Sequence, residues 1–138
     1  MALPRELITA YEKAQYCVDG MPELTLRVGE LNPSLDALLE ENDASSAAYL
    51  TAANPGGKRL SAEENESLMD ALHEYLAAAG HEFFEGHGVD PAGAWPAEPS
   101  LLVIGIPRAD AFKVGLAFEQ NALVFIEKGG AAELVLLA

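Results

Sequence analysis

Asn54-Pro55-Gly56-Gly57-Lys58-Arg59 sets two consecutive glycines and the only adjacent basic pair of the chain just ahead of Ser61, a residue that can open a helix. Glycine amides running into a helix start can take up an anion, and a guanidinium can grip phosphate or carboxylate with two prongs. The expectation is a non-catalytic binding or regulatory site for a small anionic metabolite, built on Gly56, Gly57, Lys58, Arg59 and Ser61, with Asn54 beside them. The loop is not a P-loop, because Ala52 stands where that motif needs glycine and Arg59 where it needs Ser or Thr. The plainer alternative is a tight turn with two solvated bases, Asn54 satisfying loop amides.

A second chemistry is acid–base work. Glu98 and Asp90 flank a Gly/Pro-rich loop, and a buried carboxyl there could serve as general base with Asn54 and Arg59 in support. The alternative is that these acids merely accept backbone N–H bonds. His81, His87, Asp90 and Glu98 fit no zinc spacing, and His73 stands apart on a helix, so neither a metal nor a cofactor is expected. Trp95, the only tryptophan, either staples its loop to the core or stacks on a ligand. There is no Gly-x-Ser-x-Gly nucleophile motif. Gly86-His87-Gly88 starts like a dinucleotide fingerprint but runs into Pro91.

The elements that must position these residues follow from periodicity. Residues 4–19 read as one amphipathic helix with Leu7, Tyr11, Ala14 and Val18 on a face, Cys17 a small buried hydrophobe on it and Gly20 its stop. Glu23–Val28 alternates as a half-buried strand, and Asn32-Pro33 opens a short helix. Tyr49–Ala53 and Ser100–Ile106 are apolar on both sides, which predicts neighbouring antiparallel strands in mid-sheet. Ser61 and Glu64 form a capping box for a helix reaching about Ala79. His81–Glu85 reads as a more polar edge strand and 86–99 as a loop. A helix from Pro107 to about Gln120, a strand at Ala122–Ile126, a Lys128-Gly129-Gly130 turn and a strand at Glu133–Leu137 complete the chain.

From residue 47 this order is β-α-β-β-α-β. The expected fold is therefore α+β, a ferredoxin-like split βαβ sandwich at 47–138, with an N-terminal helix/strand extension at 1–46 and an added C-terminal hairpin strand, all one domain. That topology gathers Thr51, Asn54, Lys58, Arg59, Asp90, Trp95, Glu98, Ser100 and Gln120 at one edge of the sheet, as loops over a rigid scaffold do.

Four stretches are familiar together: Leu50 to Pro55, Leu60 to Asn65, Gly93 to Ser100 and Phe118 to Ala122. Over roughly 47–127 the chain resembles a bacterial family, domain of unknown function 3293. The resemblance implies a small bacterial protein and brings no activity or substrate with it.

Composition narrows the partners. The chain has 138 residues, half of them hydrophobic, and 22 acids against 8 bases give a net charge of -14. Nucleic acids and anionic membranes are excluded as direct partners, because affinity for them rests on Lys and Arg. The spread of acids fits a solvated surface or, as a third function class, an acidic protein-interaction module. A homodimer through a sheet edge is a further expectation. One cysteine allows no disulfide within the chain, and neither a signal-peptide pattern nor a membrane-length apolar run is seen, which leads to a cytoplasmic expectation.

Overall fold

The computed structural model describes residues 3–93 and 95–137. Four helices and seven strands follow in the order α1 Arg5–Lys13, β1 Gln15–Val18, β2 Met21–Leu26, α2 Pro33–Glu41, β3 Ser46–Leu50, α3 Ala62–Ala78, β4 Glu82–Val89, β5 Glu98–Ile104, α4 Arg108–Ala117, β6 Ala122–Glu127 and β7 Glu133–Leu136. A 3-10 turn over Pro55–Gly57 links β3 to α3. The strands form one sheet in the order β2-β1-β4-β5-β3-β6-β7. Every neighbouring pair in it is antiparallel. Among the described residues no helix is long and apolar enough to cross a membrane.

Both faces of the central strands are covered, which is why they read as apolar without alternation. Ala48 and Leu50 of β3, Leu101 and Val103 of β5, and Leu123 and Phe125 of β6 pack on Met69, Leu72 and Leu76 of α3 and on Ala111 and Val114 of α4. The opposite side chains, Ala47, Tyr49, Leu102, Ile104, Val124 and Ile126, face Leu35 and Leu39 of α2 and Leu24 and Leu26 of β2. The sheet curls around this second core until Val28, beyond β2, bridges to Ala132, just before β7. The expected mid-sheet pairing of the two apolar strands holds, with Tyr49 opposite Leu102 and Leu50 opposite Leu101, but β3 ends at Leu50, so Thr51, Ala52 and Ala53, expected within it, follow its end.

Helix starts follow their local chemistry. Asn32 Oδ1 accepts from the Leu35 amide at 2.9 Å, with Pro33 in the first turn. Ser61 Oγ accepts from the Glu64 amide, and Glu64 Oε1 accepts from the Ser61 amide, each at 3.1 Å. That reciprocal pair satisfies two amides that a helix start otherwise leaves open.

Three expectations are corrected. The helix over 4–19 ends at Lys13, and Gln15–Val18 is a strand. Tyr16, Cys17 and Val18 favour extended backbone, and Asp19-Gly20 is the hairpin turn into β2 rather than a helix stop. Cys17 is therefore a half-buried strand residue. The strand expected at His81–Glu85 runs on through Gly86-His87-Gly88 to Val89, and it is no edge, because β1 pairs along its other side. Tyr75 of α3 is 48% exposed and packs edge-on against Phe118.

Candidate functional site

The polar cluster starts from the backbone of Asn54, which leaves β3 in the left-handed region at φ 48°. Asparagine tolerates that conformation, yet the residue before a proline is normally extended, so Asn54 is held there by its bonds. Its amide donates to Asn65 Oδ1 at 2.9 Å. Its own Oδ1 accepts from the Leu60 amide at 2.9 Å and from Asn65 Nδ2 at 3.0 Å. Its Nδ2 donates to Glu98 Oε2 at 2.8 Å. One side chain thus joins the turn, the first part of α3 and the start of β5. Gln120 Nε2 closes the fourth side by donating to the Ala53 carbonyl at 3.1 Å. Thr51 Oγ1 donates to the Pro99 carbonyl at 2.7 Å.

Beside this cluster lies a cavity of about 650 Å³. Its shape comes from the register of three strands. On the concave face Gly88 stands opposite Tyr16 of β1 on one side and opposite Glu98 of β5 on the other. A glycine between a tyrosine ring and a carboxylate leaves the space any side chain would fill. One step along β4, Gly86 lies between Val18 and Ser100. A Cβ at Gly86 would sit 2.8 Å from the Tyr49 hydroxyl, which reaches across to donate to the Cys17 carbonyl at 2.7 Å. Helix α1 contributes Leu7 and Tyr11 to the cavity wall and Ala14 follows its end there, with Asn121 Nδ2 donating to the Tyr11 hydroxyl at 3.2 Å and Tyr16 donating to the Tyr11 carbonyl at 2.6 Å.

Glu98 is the titratable group that this arrangement alters. Burial pushes its carboxyl above the usual carboxylate range, and the Asn54 hydrogen bond offsets part of that rise. Oε2 is occupied by Asn54, whereas Oε1 takes no hydrogen bond among the described residues. Among the described residues no fully buried side-chain polar atom lacks a partner, so Oε1 is accessible to solvent, and Glu98 lines the cavity. Burial also raises the Tyr11 and Tyr16 hydroxyls, and the nearby Glu98 charge adds to both shifts. Both stay protonated and able to donate.

Of the residues singled out from sequence, Thr51, Asn54, Gly57, Arg59, Trp95, Glu98, Ser100 and Gln120 line this cavity. Gly56, Lys58, Ser61 and Asp90 do not. The turn amides are already spent inside the protein: Gly56 donates to Glu119, Gly57 to Asn54 and Lys58 to Pro55. Asp90 accepts from the Ala92 amide and shapes the loop after β4. Among the described residues no group of three or more His, Cys, Asp and Glu could hold a metal. His73 meets Glu85 and His87 meets Asp19 as separate pairs. Sequence reasoning missed Tyr16 and the two β4 glycines, because the first was read into a helix and the others into a loop.

The model of the family described as Protein of unknown function (DUF3293) matches residues 50–123, more than half of the chain. The chain belongs to the DUF3293 family. The match holds the whole Asn54, Asn65, Glu98 and Gln120 cluster, whereas Tyr11, Tyr16 and Tyr49 lie ahead of it. In the DUF3293 chain, then, the matched segment carries the carboxylate and its clamp, and the segment before it supplies the aromatic wall. Neither the curated proteins nor the solved structures offer a match.

Proposed function

We propose that the cavity holds a small organic molecule and that Glu98 exchanges a proton with it, making this chain a small bacterial acid–base enzyme. The observation behind the reading is the divided state of one carboxyl group: Oε2 fixed by Asn54, Oε1 open, and the group raised by burial. Fixed orientation and a pKa moved toward neutrality are what a general acid or base requires. Asn54 is the orienting residue, and Arg59 stands exposed at the rim. The fold reading that goes with it is a ferredoxin-like split βαβ unit, supported by the order β4-β5-β3-β6 with a helix after β3 and another after β5. The same reading has the chain working in the cytoplasm, where a lone Cys17 needs no partner.

The test is proton exchange. Mixtures of small metabolites are incubated with the protein in heavy water and followed by NMR. Deuterium entering one carbon-bound position with wild type and not with Glu98→Gln supports the reading. Ligands that bind without exchange turn the site into a binding site only.

A second reading, a binding module for a small anion, is favoured by Arg59. It lines the cavity and makes no ion pair or hydrogen bond among the described residues. In that case the guanidinium, and not the spent turn amides, carries the affinity. Sulfate titration of wild type against Arg59→Ala separates the two readings.

A further inference from the structure

The cavity wall has its own charge balance. Glu66 and Asp70 come from α3, Glu85 from β4 and Glu98 from β5, and the one arginine among them is Arg59. Glu98 shares the concave face with Gly88 and Tyr16, whereas Glu85 lies on the opposite face of β4 beside His73, so the charge inside the wall is that of Glu98, which attracts a cation. The net charge of -14 acts in the same direction at longer range.

The inner wall adds a second observation. Tyr11 and Tyr16 line the cavity near enough to Glu98 to feel its charge, with Trp95 on the loop before β5. Tyr49 meets Tyr16 edge-on at 5.3 Å and completes that side. Aromatic rings next to a carboxylate attract a compact cation through their negative faces, and quaternary ammonium groups are bound by such walls. The gap at Gly88 provides the room: the nearest atoms to a Cβ there are 4.0 Å away.

We infer that the ligand of this cavity is a compact organic cation, an alkylammonium whose nitrogen sits between Glu98 Oε1 and the tyrosine rings. This deepens the acid–base reading by naming its ligand class, and it rests on that reading only for the location of the site. An ammonium placed there gives the half-buried carboxylate the counter-charge that the protein itself withholds, since Asn54 is its only hydrogen-bond partner among the described residues. It also explains why Glu98 can be half-buried without an arginine or lysine bonded to it: the missing cation arrives with the ligand.

The experiment uses probes matched in shape and different in charge: choline, its carbon isostere 3,3-dimethylbutan-1-ol, and 3,3-dimethylbutanoate. Binding is read from Trp95 fluorescence and from calorimetry on the full chain. The expected result is choline binding about ten-fold or more tighter than the alcohol, the size of one cation–π or ion-pair contribution. Butanoate should be weakest, and the preference for choline should vanish in Glu98→Gln. Folding of that variant is checked by circular dichroism, and the wild-type probe series stands without it. Gly88→Val, which fills the gap, should abolish choline binding. Alcohol binding as tightly as choline, with both lost in Gly88→Val, overturns the cation and leaves the cavity as a neutral-ligand site. Butanoate binding tightest, or no probe binding at all, also overturns it. The acid–base reading is judged separately by deuterium exchange.

Discussion

Asn54 Nδ2 and Glu98 Oε2 meet at 2.8 Å across 44 positions of sequence, and that bond ties the turn after β3 to the first residue of β5. It is charge-assisted whenever Glu98 is ionised, so it is stronger than the neutral bonds around it. Since Asn54 also accepts from Leu60 and Asn65, removing its side chain leaves two donors and a carboxylate without partners. Asn54→Ala should lower unfolding stability by about 2–4 kcal/mol, allowing for one lost bond to a charged group and two neutral ones. Asn54→Gly keeps access to the left-handed backbone and should lose somewhat less. Urea unfolding of the three proteins decides it, and equal midpoints for wild type and alanine would remove Asn54 from the centre of the cluster.

The carboxyl of Glu98 gives a pH signature of defined sign. Its folded pKa lies above the ordinary 4.5, so between those two values the folded state holds the proton more often than the unfolded chain does. The contribution of this group to stability is complete below about pH 4.5 and is lost as pH rises through the folded pKa. The opposite sign belongs to Glu133, which Arg108 holds down, so the whole-protein profile mixes the two. Subtracting the Glu98→Gln profile isolates Glu98. The difference should favour wild type at acid pH and shift toward the variant as pH rises, and a flat difference would mean that the carboxyl is not buried in solution.

The cap of α3 is a separate test, away from the cavity. Ser61→Ala removes one acceptor from the helix start and should cost about 1 kcal/mol. Because Ser61 does not line the cavity, ligand affinity should stay unchanged while the urea midpoint falls. An unaltered midpoint would show that solvent replaces the cap.

Much of this arrangement is legible in the residues, for physical reasons that differ from place to place. Tyr49 and Leu102 announce mid-sheet strands because burial on both faces removes alternation, and Ser61 with Glu64 announces a helix start because the two side chains serve specific amides. Glu98 and Asn54 could be brought to one edge from strand order alone. What stayed hidden is contact across long separations. Val18 shares a helical face with Leu7, Tyr11 and Ala14 only by coincidence of spacing, and no local signal says that Gln15–Val18 will pair with β4. Gly86 and Gly88 look like loop residues because glycine weakens a strand in isolation. Their purpose appears only when Tyr49 and Glu98, from other strands, arrive beside them. The turn at 54–59 was legible as a turn, but not that its amides would be consumed by Asn54, Pro55 and Glu119.

Those two glycines supply the sharpest prediction, because they sit two residues apart on one face of one strand and should respond in opposite ways. A methyl group added at Gly86 would lie 2.1 Å from the Cys17 carbonyl oxygen and 2.8 Å from the Tyr49 hydroxyl. The first contact is with backbone, so it can be relieved only by moving β1 away from β4. Doing so breaks the Tyr49 bond to Cys17 and loosens the cavity wall at Tyr16. Gly86→Ala should therefore cost roughly 2–3 kcal/mol, the range of overpacking in a well-filled interior. At Gly88 the same methyl meets nothing nearer than 4.0 Å, an ordinary contact, and its backbone is that of a strand. Gly88→Ala should be neutral or stabilising by up to about 1 kcal/mol, since alanine restricts the unfolded chain more than glycine does. Thermal unfolding of both variants tests the register of β1 on β4 and the existence of the gap together. Equal losses at the two positions would mean that the space beside Glu98 is closed in solution, and with it the room for any ligand there.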